Sequence, residues 1–272
     1  MKEDIKVSVT LLLLILLLSV LIVIAQQSYY FPVYPTREYM RPLRGGLQIQ
    51  ITNETHYLNC TLGYFVRYNT SYGFVTAGHC TSNLWPNGNP VWISAYQPNY
   101  TRFDYLVGPN GYYLICGDID AVFIPLNTGV DWKAWIVNIT GENSYTTIVI
   151  YGDVDWSDVR VGHHVCKTGR TTGTTCGYVI DKRNPYNSLL DAIITNITAA
   201  SGDSGSPLYY HVMPGGRSLA TYILGHLSRG ENCQLAIVNG ERVYLCPRTI
   251  YVSTRAIRNV FGATVCNVIT GC

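Results

Sequence analysis

The stretch Ser201-Gly202-Asp203-Ser204-Gly205-Ser206-Pro207 decides how this chain is read. A Ser held between two glycine-bounded steps and preceded by an Asp suits a sharp turn whose backbone amides stay free. Glycine at 202 and 205 opens backbone angles closed to other residues. Such a turn fits Ser204 as a nucleophile whose attack creates an oxyanion, with the N–H groups of Gly202 and Ser204 as its oxyanion-hole donors. A Ser hydroxyl is a weak nucleophile until a base takes its proton. The reading therefore requires a poised His and a buried acid elsewhere in the chain.

Both stand upstream. Tyr72-Gly73-Phe74-Val75 reads as a buried strand, and Thr76-Ala77-Gly78-His79-Cys80 follows at its end. His79 is the candidate general base, then the general acid toward the leaving amine. The candidate acid comes from the run 117–126, Gly-Asp-Ile-Asp-Ala-Val-Phe-Ile-Pro-Leu. Asp120 leads straight into an apolar strand, where a buried carboxylate would fix the imidazole tautomer. Asp118, two residues earlier, is the alternative on the same strand face. Against these stand plainer readings: a chance Gly-Asp-Ser-Gly turn, a core histidine beside a disulfide, and a strand-end carboxylate facing water.

With these residues in place, the chain resembles the chymotrypsin-fold serine proteases of the streptogrisin and α-lytic protease branch. The matching pieces are Thr76-Ala77-Gly78-His79-Cys80, the run from Val165 to Gly173, Cys176-Gly177, Gly202-Asp203-Ser204-Gly205, and Leu224-Gly225 leading to Ser228. They stand in family order across roughly residues 45 to 262. The resemblance implies an all-β fold of two antiparallel six-stranded β-barrels, a short C-terminal helix over Arg255 to Phe261, and a catalytic triad of His79, Asp120 and Ser204. It implies disulfides Cys60–Cys80 and Cys166–Cys176, polypeptide substrates, a monomer, and no metal or cofactor. It also places Lys167 as the cationic partner of a buried Asp203; a solvated Lys167 is the alternative.

By the same resemblance, Thr198 to Ser201 and Leu227 to Gly230 wall the pocket beside Ser204, so Thr198, Ser201, Leu227, Ser228 and Gly230 are candidate substrate-binding residues. Ser228 to Gly230 would pair with an extended peptide as an added strand. Neither wall holds an acidic residue, which argues against a taste for Lys or Arg. A medium or large apolar side chain is expected there. Strand alternation turns His226 away from the pocket, toward the core. Two departures stand out: Ser206 replaces a family Gly, and no Cys precedes the nucleophile loop. Cys233 then needs another partner, and Cys246 fits, because Gln234 to Leu245 reads as a hairpin turning at Asn239-Gly240.

Composition agrees with a compact exported β protein. Of 272 residues, 47% are hydrophobic and 13% charged, so a large core is available and disorder is excluded. A net charge of +2 is too small to argue for nucleic-acid binding. Nine Cys point to an oxidising compartment, and without paired C-x-x-C units they do not read as a zinc site. Cys116, Cys266 and Cys272 remain unassigned, and the odd total leaves at least one thiol free or intermolecular. N-glycosylation sequons occur at Asn53, Asn59, Asn69, Asn99, Asn138 and Asn196.

The chain divides into four parts. Residues 1–25 form an apolar N-terminal helix, either a cleaved signal peptide or a membrane anchor, since residues 7–25 are long enough to span a bilayer. Residues 26–44, rich in Tyr, Pro and Arg, read as a linker or reduced pro-segment. Residues 45–150 hold the first barrel with His79 and Asp120. Residues 151–272 hold the second with Ser204 and the C-terminal helix. The competing function is a catalytically inactive protease-fold protein used for surface binding.

Overall fold

The computed structural model describes residues 11–15, 27–53, 55–84, 93–99, 105–111, 114–116, 119–212, 220–269 and 271. Residues 87–90, Asp118, Cys272, the side chain of Cys116 and most of the apolar leader lie outside them. Residues 11–15 are helical. No helix of the described residues is long and apolar enough to cross a membrane.

The architecture is all-β. Strands His164–Gly169, Gly173–Arg183, Ala192–Thr195, Arg248–Ser253, Ala220–Glu231 and Pro207–Val212 pair antiparallel in that order. The last pairs back onto the first, closing a six-stranded barrel. Its interior is filled by Val165, Ile193, Leu208, Leu224, Leu227 and Tyr251. Each fully buried aliphatic side chain of this kind contributes about 1.5–3 kcal/mol.

The first half is built from two sheets. One pairs Tyr57–Thr61, Gln48–Thr52, Ile93–Tyr96 and Tyr105–Gly111; the other pairs Thr264–Val265, Tyr64–Tyr68, Ser71–Ala77, Ala121–Pro125 and Leu114–Cys116. Ile49 and Ile51 from the first meet Phe65, Phe74, Val122 and Ile124 from the second in one core. A further cluster joins Tyr64, Val75 and Phe123 to Ile194, Tyr209, Ile223 and Val252, so the two halves share apolar packing rather than a loose hinge.

The strands Trp132–Gly141 and Ser144–Asp153 form an extra hairpin between the halves. Its second strand runs parallel to Ala220–Glu231. The helix Thr254–Phe261 starts where Ser253 Oγ accepts from the Ala256 N–H at 3.2 Å and stops at Gly262, whose φ of +69° needs no Cβ. The chain then returns to the first half, where Thr264–Val265 pairs with Val66 and Arg67.

Residues 27–44 do not dangle. Ser28–Tyr29 adds a parallel strand to Gln234–Val238, and the Phe31 N–H donates to Asn239 Oδ1 at 2.8 Å. Leu43–Gly45 is fully buried beside Trp132–Gly141. The predicted hairpin is present as Gln234–Val238 and Glu241–Cys246, with Asn239 and Gly240 at φ of +49° and +80°. Two successive positive φ values are what a tight hairpin turn demands, and Asn-Gly meets it.

Candidate active site

His79 is delivered by the end of the strand Ser71–Ala77 and opens the short helix His79–Ser82. The disulfide Cys60–Cys80 ties that helix to the neighbouring sheet. Gly78 is needed here because a Cβ would stand 2.9 Å from the Ala121 nitrogen and 3.2 Å from Asp120 Oδ1. Asp120 immediately precedes the strand Ala121–Pro125. Its φ is +40°, a left-handed backbone that Asp tolerates better than most residues. That turn aims the carboxylate back at His79, and the Asp120 carbonyl accepts from the Gly78 N–H at 2.8 Å.

The three side chains form one relay. His79 Nδ1 lies 3.0 Å from Asp120 Oδ2 and 3.2 Å from Oδ1. His79 Nε2 lies 2.7 Å from Ser204 Oγ. The His79 N–H also donates to Asp120 Oδ1 at 2.8 Å, and the Ser228 hydroxyl donates to Oδ2 at 2.5 Å. Burial pushes the Asp120 carboxyl up, but the hydrogen bond and charge of His79, the Ser228 hydroxyl and the His79 N–H outweigh it. The group is held below the usual carboxylate range. Ionised Asp120 fixes the proton on Nδ1, which leaves the Nε2 lone pair facing the hydroxyl.

The loop that carries Ser204 is folded by its own carboxylate. Asp203 is sealed from solvent and accepts from the backbone N–H groups of Ala200, Thr171 and Thr172 at 3.0, 2.8 and 3.2 Å, and from the Thr172 hydroxyl at 2.6 Å. Lys167, equally sealed, reaches Asp203 Oδ2 at 3.1 Å and also donates to the Thr172 hydroxyl and the Gly173 carbonyl. Burial raises the Asp203 carboxyl, and the Lys167 charge with these donors brings it below its ordinary value. Burial lowers the Lys167 amine against the opposing pull of Asp203. Ser206, which departs from the family Gly, is accommodated because its hydroxyl donates to the Asp203 carbonyl at 2.5 Å.

Around this scaffold the amides of Asp203, Gly205 and Ser206 are hydrogen-bonded to Ala200, Leu227 and Asp203 carbonyls. Those of Gly202 and Ser204 have no acceptor among the described residues. Gly202 and Gly205 have φ of +96° and +89°, and a Cβ at Gly205 would lie 2.0 Å from Thr76 Oγ1.

The cleft, about 760 Å³, is lined by His79, Asp120 and Ser204 with Ala199 to Ser201 on one wall and Leu227 to Gly230 on the other. Ser201, Leu227, Ser228 and Gly230 thus line it as expected. Thr198 does not; it lines a separate hollow beneath the arm with Gln27, Tyr29 and Phe31. Sequence reasoning missed Ser188, Leu189 and Tyr244, which also line the cleft. Loop 184–191 is held there by Arg229, whose Nη2 donates to the Asn187 carbonyl at 2.7 Å. No local signal marks such a long-range contact.

Beyond the bond from the Leu227 N–H to the Ser206 carbonyl, the edge Ser228–Gly230 facing the cleft has no strand partner among the described residues. His226 is buried, absent from the cleft, and sets Nε2 3.2 Å from the Asp120 carbonyl. All three expected disulfides, Cys60–Cys80, Cys166–Cys176 and Cys233–Cys246, are formed, and Cys266 is disulfide-bonded as well. His164 adjoins the second bridge, but its sulfurs are bonded to each other and are not thiolate ligands.

No family model matches the sequence. Among solved structures, the chain is similar to Thermobifida fusca protease A, with a TM-score of 0.53 and 18% identity over 83% of this chain and all of that one. It is similar to a glutamic acid specific serine protease that uses a histidine triad in substrate binding, with a TM-score of 0.54 and 21% identity over 82% of this chain and all of that one. Nocardiopsis protease gives 0.52 and 20%, covering 82% and 99%. The chain therefore adopts the fold of the chymotrypsin-like serine proteases.

Proposed function

We propose that the chain is an exported serine endopeptidase that cleaves peptide bonds through an acyl-enzyme. The observation that carries the reading is the unbroken relay from Ser204 Oγ to His79 Nε2 at 2.7 Å and from Nδ1 to Asp120 at 3.0 Å. Ser204 Oγ attacks the scissile carbonyl while His79 takes its proton. The N–H groups of Gly202 and Ser204 receive the oxyanion, worth about 3 kcal/mol per donor in comparable sites. His79 then protonates the leaving amine. Water repeats the sequence on the acyl-enzyme and frees Ser204.

The substrate chain adds a strand to the Ser228–Gly230 edge. The side chain on the acyl side of the scissile bond (P1) enters between walls that carry Ala199, Ala200 and Leu227. These favour an apolar P1 residue. Export is supported by the formed disulfides and the apolar stretch 7–25. The test is a fluorophosphonate that labels Ser204, read by peptide mass spectrometry, together with Ser204→Ala. A stoichiometric adduct lost in the variant is expected. A native, folded chain that forms no adduct would support the inactive binding protein instead.

A further inference from the structure

We infer that the Cys233–Cys246 disulfide is the floor of the P1 pocket and restricts P1 to a small side chain such as glycine, alanine or serine. This rests on the protease reading above and names the substrate class of the same site. It is narrower than the medium or large residue expected from the sequence.

The two walls of the pocket are Ala199–Ser201 and Ser228–Gly230, and both cysteines line the cleft with them. Cys246 is the antiparallel partner of Ala199, so it belongs to one wall. Its sulfur also touches the other. A Cβ placed on Gly230 would lie 2.3 Å from Cys246 Sγ, 2.4 Å from Cys246 Cβ and 3.1 Å from Cys233 Sγ. The space between the walls is thus occupied by sulfur at the level of Gly230. Only glycine at 230 tolerates that approach.

A second observation agrees. Thr198 sits one residue beyond Ala199, where a deeper pocket would continue. It opens instead into the separate hollow shared with Leu245 and the arm residues Tyr29 and Phe31. Ala199 lines the cleft and Thr198 does not, and Cys246 is paired beside Ala199. A long Met or Leu side chain in this position would swing aside for a larger substrate group. A disulfide is bonded at both ends, and Cys246 is fixed in the sheet, so it does not. Asp120, already engaged with His79, is the only carboxylate among the described residues lining the cleft, so a basic P1 residue finds no free counter-ion. Arg229 is exposed at the rim and engaged with the Asn187 carbonyl at 2.7 Å.

The experiment uses the full chain and a series of peptidyl diphenyl phosphonates that differ only in the P1 side chain: methyl, isobutyl or benzyl. Inactivation rates are read with mass-spectrometric confirmation of the Ser204 adduct. The methyl compound should react at least about tenfold faster than the benzyl one, since misfit by a few methylenes is worth that much or more. Replacing both sulfurs, Cys233→Gly with Cys246→Gly, should narrow or reverse that ratio. Thermal melting checks that the variant is folded, and if it is not, the native series decides alone. A benzyl rate equal to or above the methyl rate, with Ser204 labelled, overturns the floor. Absence of labelling by any member of the series overturns the protease reading itself.

Discussion

Lys167 Nζ and Asp203 Oδ2 meet at 3.1 Å with both side chains fully excluded from solvent. The pair lies behind the nucleophile loop, and Asp203 gathers three backbone amides there. Taking away one member of a buried ion pair leaves the other charge stranded, at about 3–5 kcal/mol. Lys167→Met is therefore expected to destabilise the fold by about that much and to abolish phosphonate labelling of Ser204. The deficit should shrink as the pH is lowered. In the variant the lone buried carboxyl has a raised pKa, so protonation in acid relieves it. Denaturant melts of both proteins at pH 7 and pH 4 measure this. An equal deficit at the two values would contradict the stranded charge.

The Ser228 hydroxyl donates at 2.5 Å to Asp120 Oδ2, the same oxygen that lies 3.0 Å from His79 Nδ1. Ser228→Ala removes a hydrogen bond to an ionised group, worth about 1.5–3 kcal/mol. The backbone edge that would hold substrate is untouched. We expect kcat to fall about tenfold or more while KM changes little. A rise in KM at constant kcat would mean that the hydroxyl serves binding and not alignment.

His226 gives the fold a pH dependence of its own. Burial drives its pKa down to about 4 from an ordinary 6.5, against the smaller opposing effects of the Asp120 carbonyl and charge. The unfolded chain takes up that proton first as the pH drops. Stability from this group is thus full above about pH 6.5 and is lost progressively toward pH 4, by about 3 kcal/mol in total. His163 and His211, both lowered by partial burial, act in the same direction. The depressed carboxyls of Asp120 and Asp203 act only in stronger acid. His226→Gln keeps an N–H for the Asp120 carbonyl but cannot titrate, so the melting temperature should flatten between pH 6.5 and 4. An unchanged slope would exclude His226 as its source.

Arg37 ties the arm to the back of the nucleophile loop. Its Nη1 is 2.6 Å from Glu241 Oε1, and its Nε donates to the Arg170 carbonyl at 2.9 Å. Arg170 in turn touches the Thr171 hydroxyl, which donates to the Ser201 carbonyl at 2.8 Å. The ion pair is partly solvated, so Arg37→Ala is expected to cost only about 1–1.5 kcal/mol, mostly the backbone hydrogen bond. That is a melting temperature lower by about 2–6 °C for a chain of this size. Calorimetry checks it, and a neutral result would mean the arm is held by its strand pairing alone.

Much of this was legible in the sequence because it rests on local rules. Gly202, Ser204 and Gly205 announce a turn that few other residues permit. Asn239-Gly240 announces a hairpin, and that hairpin brings Cys233 opposite Cys246. What escaped depends on pairings distant in sequence. Thr198 stands in the same short run as Ala199, yet it lines a different hollow, the one under Tyr29 and Phe31. Residues 26–44 read as a linker or reduced pro-segment, and the pairing of Ser28–Tyr29 with Ile237 and Val238 has no local signal. The apolar run after Asp120 marks it as the candidate acid; its positive φ, which turns the carboxylate toward His79, has no signature in residue type alone.

The strand Ala220–Glu231 completes the second barrel, presses Ser228 onto Asp120 and offers its bare edge to the cleft. Grip and ignition therefore share one beam. Under the proposed strand addition, a longer peptide clasping the beam along residues 228–230 would stiffen the mount of Asp120 as well as lengthen its own hold. Extending a substrate by one or two residues on the acyl side should thus raise turnover number, and not merely tighten association.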